Sequence, residues 1–443
     1  MSRFLDRRFG LAAHGTSVRT EVGAGLTTFL ALAYIIFVQP AVLSAAGMDF
    51  GAVMTATCLA SAVATLLMAW LANYPIAVAP AMGHNFFFAY TVVVGMQVPW
   101  QAALGAVAIA GTIFILTAGV GLRERLITAL PPFLQHAIAA GIGLLIAMIG
   151  LQWSGLVVAS PGTLVTLGNL AAPPTLLALF GLVVTAVLFA RGARGAILWG
   201  MLATTGVGLA SGLVRYQGLV SAPPSIAPTF LRLDVAAALT PTLAPVIVIF
   251  FFLALFDSVG TLVGVAGQAG LMRDGQLPRA REALLADAVG TVAGAGLGTS
   301  TVTAYIESAT GVAAGGRTGL AAVVTALLLL LSLFFSPLVR MIGGGYAAAP
   351  GVVLYPVIAP ALILVGTLMM REVRHVDWDD PTAAIPAFLT IVVMPLTISI
   401  TEGIAFGLVA AVVLDLATLR RRGLHWLIYV FAVLFVARYA FLR

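Results

Sequence analysis

Apolar stretches follow one another along nearly the whole chain, each close to the roughly 20 residues that one helical crossing of a bilayer requires. Fourteen of them fall at 22–44, 51–72, 76–95, 101–122, 135–153, 173–190, 195–213, 242–266, 284–297, 300–314, 318–338, 350–370, 383–400 and 403–419, with a further apolar segment at 425–441. Of 443 residues, 61% are hydrophobic and only 9% charged. A water-facing globule carries about 25% charged residues, so the solvent of this chain is lipid. The segment before the first stretch, Met1 to Arg19, is polar and lacks the short apolar core and small-residue cleavage site of a signal peptide. A retained first helix is expected. The single Cys58 excludes a disulfide framework within one chain and a cysteine-based metal cluster.

All 22 basic residues are arginine and the net charge is +6. They are not gathered on one face, as nucleic-acid binding would need. With a cytoplasmic N-terminus and fourteen alternating spans, one side receives Arg3, Arg7, Arg8, Arg19, Arg123, Arg125, Arg191, Arg194, Arg273, Arg279, Arg281, Arg317, Arg371, Arg374, Arg420, Arg421 and Arg422. The other receives Arg215, Arg232 and Arg340, with Arg438 and Arg443 in the tail left uncounted. Seventeen against three is the bias expected when arginine stays cytoplasmic. The expectation is a multi-pass protein of the cytoplasmic membrane, and the segment 425–441 is left open as a crossing or an interfacial helix.

Two spans are poor lipid-facing helices. Ala77-Val-Ala-Pro-Ala-Met-Gly-His-Asn85 carries a proline, a glycine and two polar side chains, and Leu297-Gly-Thr-Ser-Thr-Val-Thr-Ala-Tyr-Ile-Glu307 is rich in Thr and Ser. Irregular backbone at membrane depth survives only inside protein or along a wet cavity, so both are expected within the bundle. They also correspond to each other. Leu59-Ala-Ser-Ala-Val-Ala-Thr-Leu-Leu-Met-Ala69 matches Leu285-Ala-Asp-Ala-Val-Gly-Thr-Val-Ala-Gly-Ala295 at six of eleven positions, an offset of 226, and Phe29-Leu-Ala-Leu32 recurs as Phe252-Leu-Ala-Leu255 at 223. Apolar low-complexity segments match by chance often, but the shared offset argues for a repeat. It sets Glu307 opposite Ala81 to His84. Seven spans is an odd number, so the second half enters the membrane inverted, and broken spans at matching places are the sequence pointer to a transporter's binding site.

Few ionisable groups lie within the spans. Asp257 sits deep in Phe250-Phe-Phe-Leu-Ala-Leu-Phe-Asp-Ser-Val-Gly-Thr261, Glu307 in one broken segment and His84 in the other. Intramembrane acids are functional by default, and burial opposes their ionisation, which suits a proton carrier. Asp257 and Glu307 are therefore read as site residues, against the plainer reading of acids that cap a broken helix. Asp287 is read as a structural cap of the ninth span, and His84 is balanced between site and structure. Half-helix N-termini meeting at the midplane offer unpaired N–H groups, with Thr299, Ser300, Thr301 and Thr303 adding hydroxyls. Phe86, Phe87, Phe88 and Tyr90 could stack on a flat ring, although ordinary packing accounts for most of them. There is no Walker loop, HExxH, GxSxG or paired Cys/His ligand set. Neither an enzyme nor a metal or other cofactor is expected.

Phe256-Asp-Ser-Val-Gly-Thr-Leu-Val-Gly-Val-Ala266, Ala286-Asp-Ala-Val-Gly-Thr291, Gly298-Thr-Ser-Thr-Val-Thr-Ala-Tyr-Ile-Glu-Ser-Ala309, Gly311-Val-Ala-Ala-Gly-Gly-Arg-Thr-Gly319 and Ala384-Ile-Pro-Ala-Phe-Leu-Thr390 carry a pattern that resembles the azaguanine-permease-like branch of the nucleobase/ascorbate transporter superfamily. The resemblance runs from about Phe9 to the C-terminus. It implies an all-α polytopic fold of seven plus seven inverted spans, with core and gate domains and a short strand in each of spans 3 and 10. The halves would be 22–213 and 242–419, preceded by a cytoplasmic segment 1–21 and followed by a basic segment and extra helix at 420–443. The implied activity is proton-coupled import of adenine, guanine, hypoxanthine or a similar base. Glu307 would hydrogen-bond the base, Asp257 falls on the eighth-span acid, and Ala81, His84, Asn85, Thr303 and Ala254 occupy the remaining site positions. Protons would couple through Glu307 or Asp257. The chain departs from the usual pattern at three places: Ala254 replaces a second acid, Ala79-Pro-Ala-Met-Gly-His-Asn85 replaces Ala-Pro-Gly-Met-Gly-Leu-Asn, and Gln39-Pro40 replaces Asn-Pro. The alternatives are a transporter of the same fold for uracil, xanthine or an inorganic anion, and homodimer formation is left open.

Overall fold

The computed structural model describes residues 2–120, 131–272, 277–349, 352–418 and 424–441. Arg123, Arg125, Arg273, Arg420, Arg421, Arg422 and Arg443, and the expected span ends at 121–122, 350–351 and 419, lie outside them. Among the described residues, eight helices are each long and apolar enough to cross a bilayer. Local chemistry sets many of the boundaries. Ser17, Asp49, Thr318 and Asp380 cap the helices that follow them, each side-chain oxygen accepting a first-turn N–H that has no helical partner. Proline opens the fifth and sixth spans, Pro132–Trp153 and Pro173–Ala190, where its missing N–H costs nothing.

The third and tenth spans are broken, as expected. Span 3 runs as strand β1 (Val78–Pro80), a short helix Met82–Phe86 and a π-helical stretch Phe87–Gly95. Two hairpins follow in chain order outside the bundle: β2 (Val157–Ser160) with β3 (Leu164–Leu167), and β5 (Tyr346–Ala349) with β6 (Val352–Leu354). Span 10 is strand β4 (Val302–Ala304) followed by the helix Ser308–Ala313. Gly298 makes that strand possible. It ends the helix Ala280–Leu297 at φ +101°, and a Cβ there would stand 2.2 Å from the Cβ of Thr229.

The expected span 350–370 begins differently. Its first residues form β6, and the crossing helix is Ala359–Met369, extended by a 3-10 turn to His375. Pro356 disfavours helix in the residue before it, and Val352-Val-Leu354 is β-branched enough to pair instead. The last helix, Trp426–Phe441, runs antiparallel to Ile400–Thr418: Tyr429 donates to Asp415 at 2.5 Å, and Tyr439 donates to Glu402 thirteen positions earlier in span 14. At 1.5 Å rise per residue, those two contacts are about 20 Å apart along span 14, so this helix runs along the crossing direction.

The repeat is visible in how matched residues meet. The helices Phe50–Leu67 and Ala280–Leu297 cross where a Cβ on Gly290 would come within 2.6 Å of the Cβ of Ala64, its partner at offset 226. Spans 5 and 12 cross at Gly143 and Gly366, offset 223, where a Cβ on Gly366 would lie 2.5 Å from the carbonyl oxygen of Gly143. Two contacts between equivalent residues mark the axis that relates the inverted halves. Ends assigned to one face also meet. Arg8 stacks 4.8 Å from the ring of Trp70 and donates to its carbonyl at 2.5 Å, whereas Arg340 lies over Phe50 at the opposite face. Glu21, buried in span 1, accepts from the amides of Arg317, Thr318 and Ala321 at the start of span 11, a carboxylate placed at the positive end of a helix.

Gly290→Val should lower the unfolding free energy in detergent by about 1–3 kcal/mol through overpacking. Ala64→Gly in the same chain should return part of the loss, and thermal unfolding of the two single variants and the double variant measures it.

Candidate substrate site

Strands β1 and β4 lie side by side, antiparallel, with Val78 opposite Ala304, Ala79 opposite Thr303 and Pro80 opposite Val302. The ladder continues at both ends, through Tyr305 N–H to the carbonyl of Ala77 at 2.9 Å and Ala81 N–H to that of Thr301 at 3.0 Å. Side chains satisfy much of what the ladder leaves over. The Thr65 hydroxyl donates to Val78 O and accepts from Val78 N, and its repeat partner Thr291 donates to Val302 O. Ser308 accepts from Ala77 N, and the Tyr305 hydroxyl donates to Pro80 O at 2.5 Å. Asp287 is fully buried in the ninth span and accepts the N–H of Ala304. It is therefore not the helix cap its position suggested: that place belongs to Arg279, and Asp287 fixes β4.

Each strand leads into a short helix. Ala81, extended at φ −73°, ψ 132°, is the cap of Met82–Phe86, and Glu307 is the cap of Ser308–Ala313. The chemistry gathers beside these breaks. Glu307 is half-buried and accepts a 2.6 Å hydrogen bond from the Tyr34 hydroxyl. Asp257, its side chain 44% exposed, accepts from Thr303 of β4 at 3.0 Å and lies 4.0 Å from Nδ1 of buried His84. The other ring nitrogen of His84 is buried and has no hydrogen-bond partner among the described residues. Both acids thus hang on one strand pair, held by hydroxyls from different spans.

A second network ties the breaks to span 1. The Gln39 amide donates to Thr299 at 2.9 Å and to Ser300 at 3.0 Å, and the Ser300 hydroxyl donates to Asn85 at 2.6 Å. The side-chain carbonyl oxygen of Asn85 is thereby tied to Ser300. Ala254, one turn before Asp257, is buried. The aromatic run is packing: Phe86 stacks with Tyr90, Phe87 meets Phe250 edge-on at 4.8 Å, and Phe86, Phe87 and Phe88 are fully buried.

The structure brings Glu307, Asp257, His84 and Thr303 around the strand pair, with Ala81 at its end. Sequence reasoning missed Tyr34, and it noted Gln39 only as a departure from pattern. The signal for Tyr34 was the one phenol of the first span, at a point where the helix breaks between Leu32 and Ile35. Partners 273 positions apart cannot be paired by inspection of the sequence.

Inverted halves, each with a broken span, and two acids of the second half held beside the paired breaks define a membrane transporter. Comparison with known proteins agrees. Residues 19–406 match the model of the Permease family, Xan_ur_permease. The chain is 45% identical to the adenine permease AdeP of Escherichia coli, over 99% of this chain and 96% of that one. It is 46% identical to the guanine/hypoxanthine permease PbuG of Bacillus subtilis, over 97% and 98%. Among solved structures, the transmembrane domain of the cyanobacterial bicarbonate transporter BicA superposes with a TM-score of 0.62 at 18% identity, covering 89% of this chain and 97% of that one, and so shares the fold. This chain belongs to the permease family; it is a transporter, not an enzyme.

Gln39→Leu should remove the donor that Thr299 and Ser300 share and lower stability by about 1–3 kcal/mol. Gln39→Asn, which keeps an amide, should lose less; unfolding curves in detergent compare the two.

Proposed function

We propose that the protein imports purine nucleobases such as adenine, guanine or hypoxanthine together with protons, by alternating access across the cytoplasmic membrane. The observation that carries this is the placement of two carboxyl groups, Glu307 and Asp257, beside one strand pair in the broken spans. A planar heterocycle with several donors and acceptors suits a carboxylate next to strand-end backbone groups. The likeness to an adenine permease and to a guanine/hypoxanthine permease supports the same class of cargo. A small anion, the cargo named for BicA, is disfavoured beside two acids, because like charges repel strongly at low dielectric.

Protonation of Glu307 or Asp257 from outside lowers the cost of holding that acid away from water. The base then docks between spans 3 and 10, Glu307 hydrogen-bonding it and Tyr34 orienting Glu307. Thr303 holds Asp257, and His84 adds a buried imidazole on the side where Ala254 offers no polar group. Release follows when the core shifts against the gate. The open face of span 8 supports an access path to the N-terminal side: among the described residues, a Cβ on Gly260 or Gly267 would meet nothing from another element within 4 Å, and one on Gly264 would meet only Ile306. Asp257 heads that face, and an exposed acid at this depth belongs to water, not lipid. The N-terminus is cytoplasmic in this reading, the arginine bias setting the orientation, and 22–213 and 242–419 are the two halves.

The test is radiolabelled uptake of adenine, guanine, hypoxanthine, xanthine and uracil at two external pH values. Purine uptake should rise at acidic pH and collapse with an uncoupler, and Glu307→Gln should abolish accumulation against a gradient. Uptake that ignores both pH and uncoupler would remove the proton from the mechanism; inhibition by bicarbonate or sulfate but not by purines would replace the cargo. His84→Ala and His84→Leu should each weaken base binding or change the order of preference, and unchanged affinity and selectivity in both would dispose of a site role for His84.

A further inference from the structure

At the ends of spans 5 and 12, on the face that carries Arg8 and Arg317, three potential ligands converge. His136 lies in the second turn of span 5, and Glu372 and His375 lie on the 3-10 turn Met370–His375 that ends span 12. His136 Nδ1 is 2.8 Å from Glu372 Oε2, His375 Nδ1 is 3.4 Å from the same oxygen, and all three ligand atoms lie within 4.8 Å of one another. In a 3-10 helix residues three apart eclipse, which is why Glu372 and His375 present their side chains in one line. The two imidazole rings are 4.9 Å apart and tilted by 42°. They converge on the carboxylate instead of stacking on each other.

We propose that His136, Glu372 and His375 form a site for a divalent transition cation of the Zn2+ class, joining the ends of spans 5 and 12. Two imidazoles and a carboxylate are the ligand types Zn2+ takes, and three protein ligands leave a fourth position for water. The side chains are 33%, 39% and 44% exposed, so the cation enters from the membrane face and the open position points to solvent. In the metal-free triad each Nδ1–H points at the shared oxygen. On binding, each ring moves that proton to Nε2 by exchange with water, leaving both Nδ1 lone pairs for the metal. Spans 5 and 12 already meet backbone to backbone at Gly143 and Gly366, so a cation here fastens the near ends of a crossing that is closed further in. The sequence showed no such ligand set because His136 and Glu372 are 236 positions apart. This inference does not depend on the cargo.

The experiment is calorimetric titration of the chelator-stripped full-length protein in detergent with Zn2+, and of a parallel sample with Co2+ followed by visible absorption. One Zn2+ per chain is expected, with a Co2+ ligand-field band and a melting midpoint that climbs with Zn2+ concentration. Glu372→Gln and His375→Ala, at the surface and safe for folding, should each weaken binding by more than about tenfold. His14→Ala combined with His425→Ala should change nothing. Binding well below one equivalent, or equal binding by wild type and Glu372→Gln, would overturn the site and show the triad to be a hydrogen-bonded staple only.

Discussion

Backbone groups in the middle of a bilayer have no water to bond, and that constraint organises this protein. Two spans abandon the helix there, and the cost is contained because each break faces the other. The strands β1 and β4 satisfy one another, and Thr65, Thr291, Ser308, Tyr305 and Asp287 take up groups the ladder leaves. An unsatisfied group at that depth costs several kcal/mol. Irregular backbone and buried polar side chains therefore come as one unit. The site is built from the same parts: Thr303 lies in β4 and holds Asp257, and Glu307 starts the helix that β4 leads into.

Close helix crossings make this arrangement possible. Small residues at Ala64, Gly290, Gly143 and Gly366 let backbones approach, in keeping with membrane packing that relies on van der Waals contact between small side chains. Because these contacts join equivalent residues of the two halves, the axis that inverts one half onto the other passes through them. The strand pair sits beside the Ala64–Gly290 crossing, where a Cβ on Gly290 would also meet Val302, and span 5 packs on the broken third span through Ile142 and Gly83. In transporters built from inverted repeats, relative movement of the two parts exposes a fixed site first to one side and then to the other.

The sequence by itself determined the solvent, the multi-pass helical class and the repeat, because apolar length and a shared offset are local or one-dimensional signals. It also marked both breaks and both central acids, since Pro80, Gly298 and charge at depth are costly enough to be informative alone. What only the tertiary structure decided is who meets whom. Tyr34 reaching Glu307, Gln39 joining Ser300 and Asn85, and Asp287 holding a strand instead of capping a helix are contacts between residues far apart in the chain. So is the choice of β-hairpin over helix at Val352–Leu354. Hydrogen bonds are short and directional, so their partners follow from how the spans pack in three dimensions, whereas the hydrophobic and charge patterns that place spans in a membrane act on each segment separately.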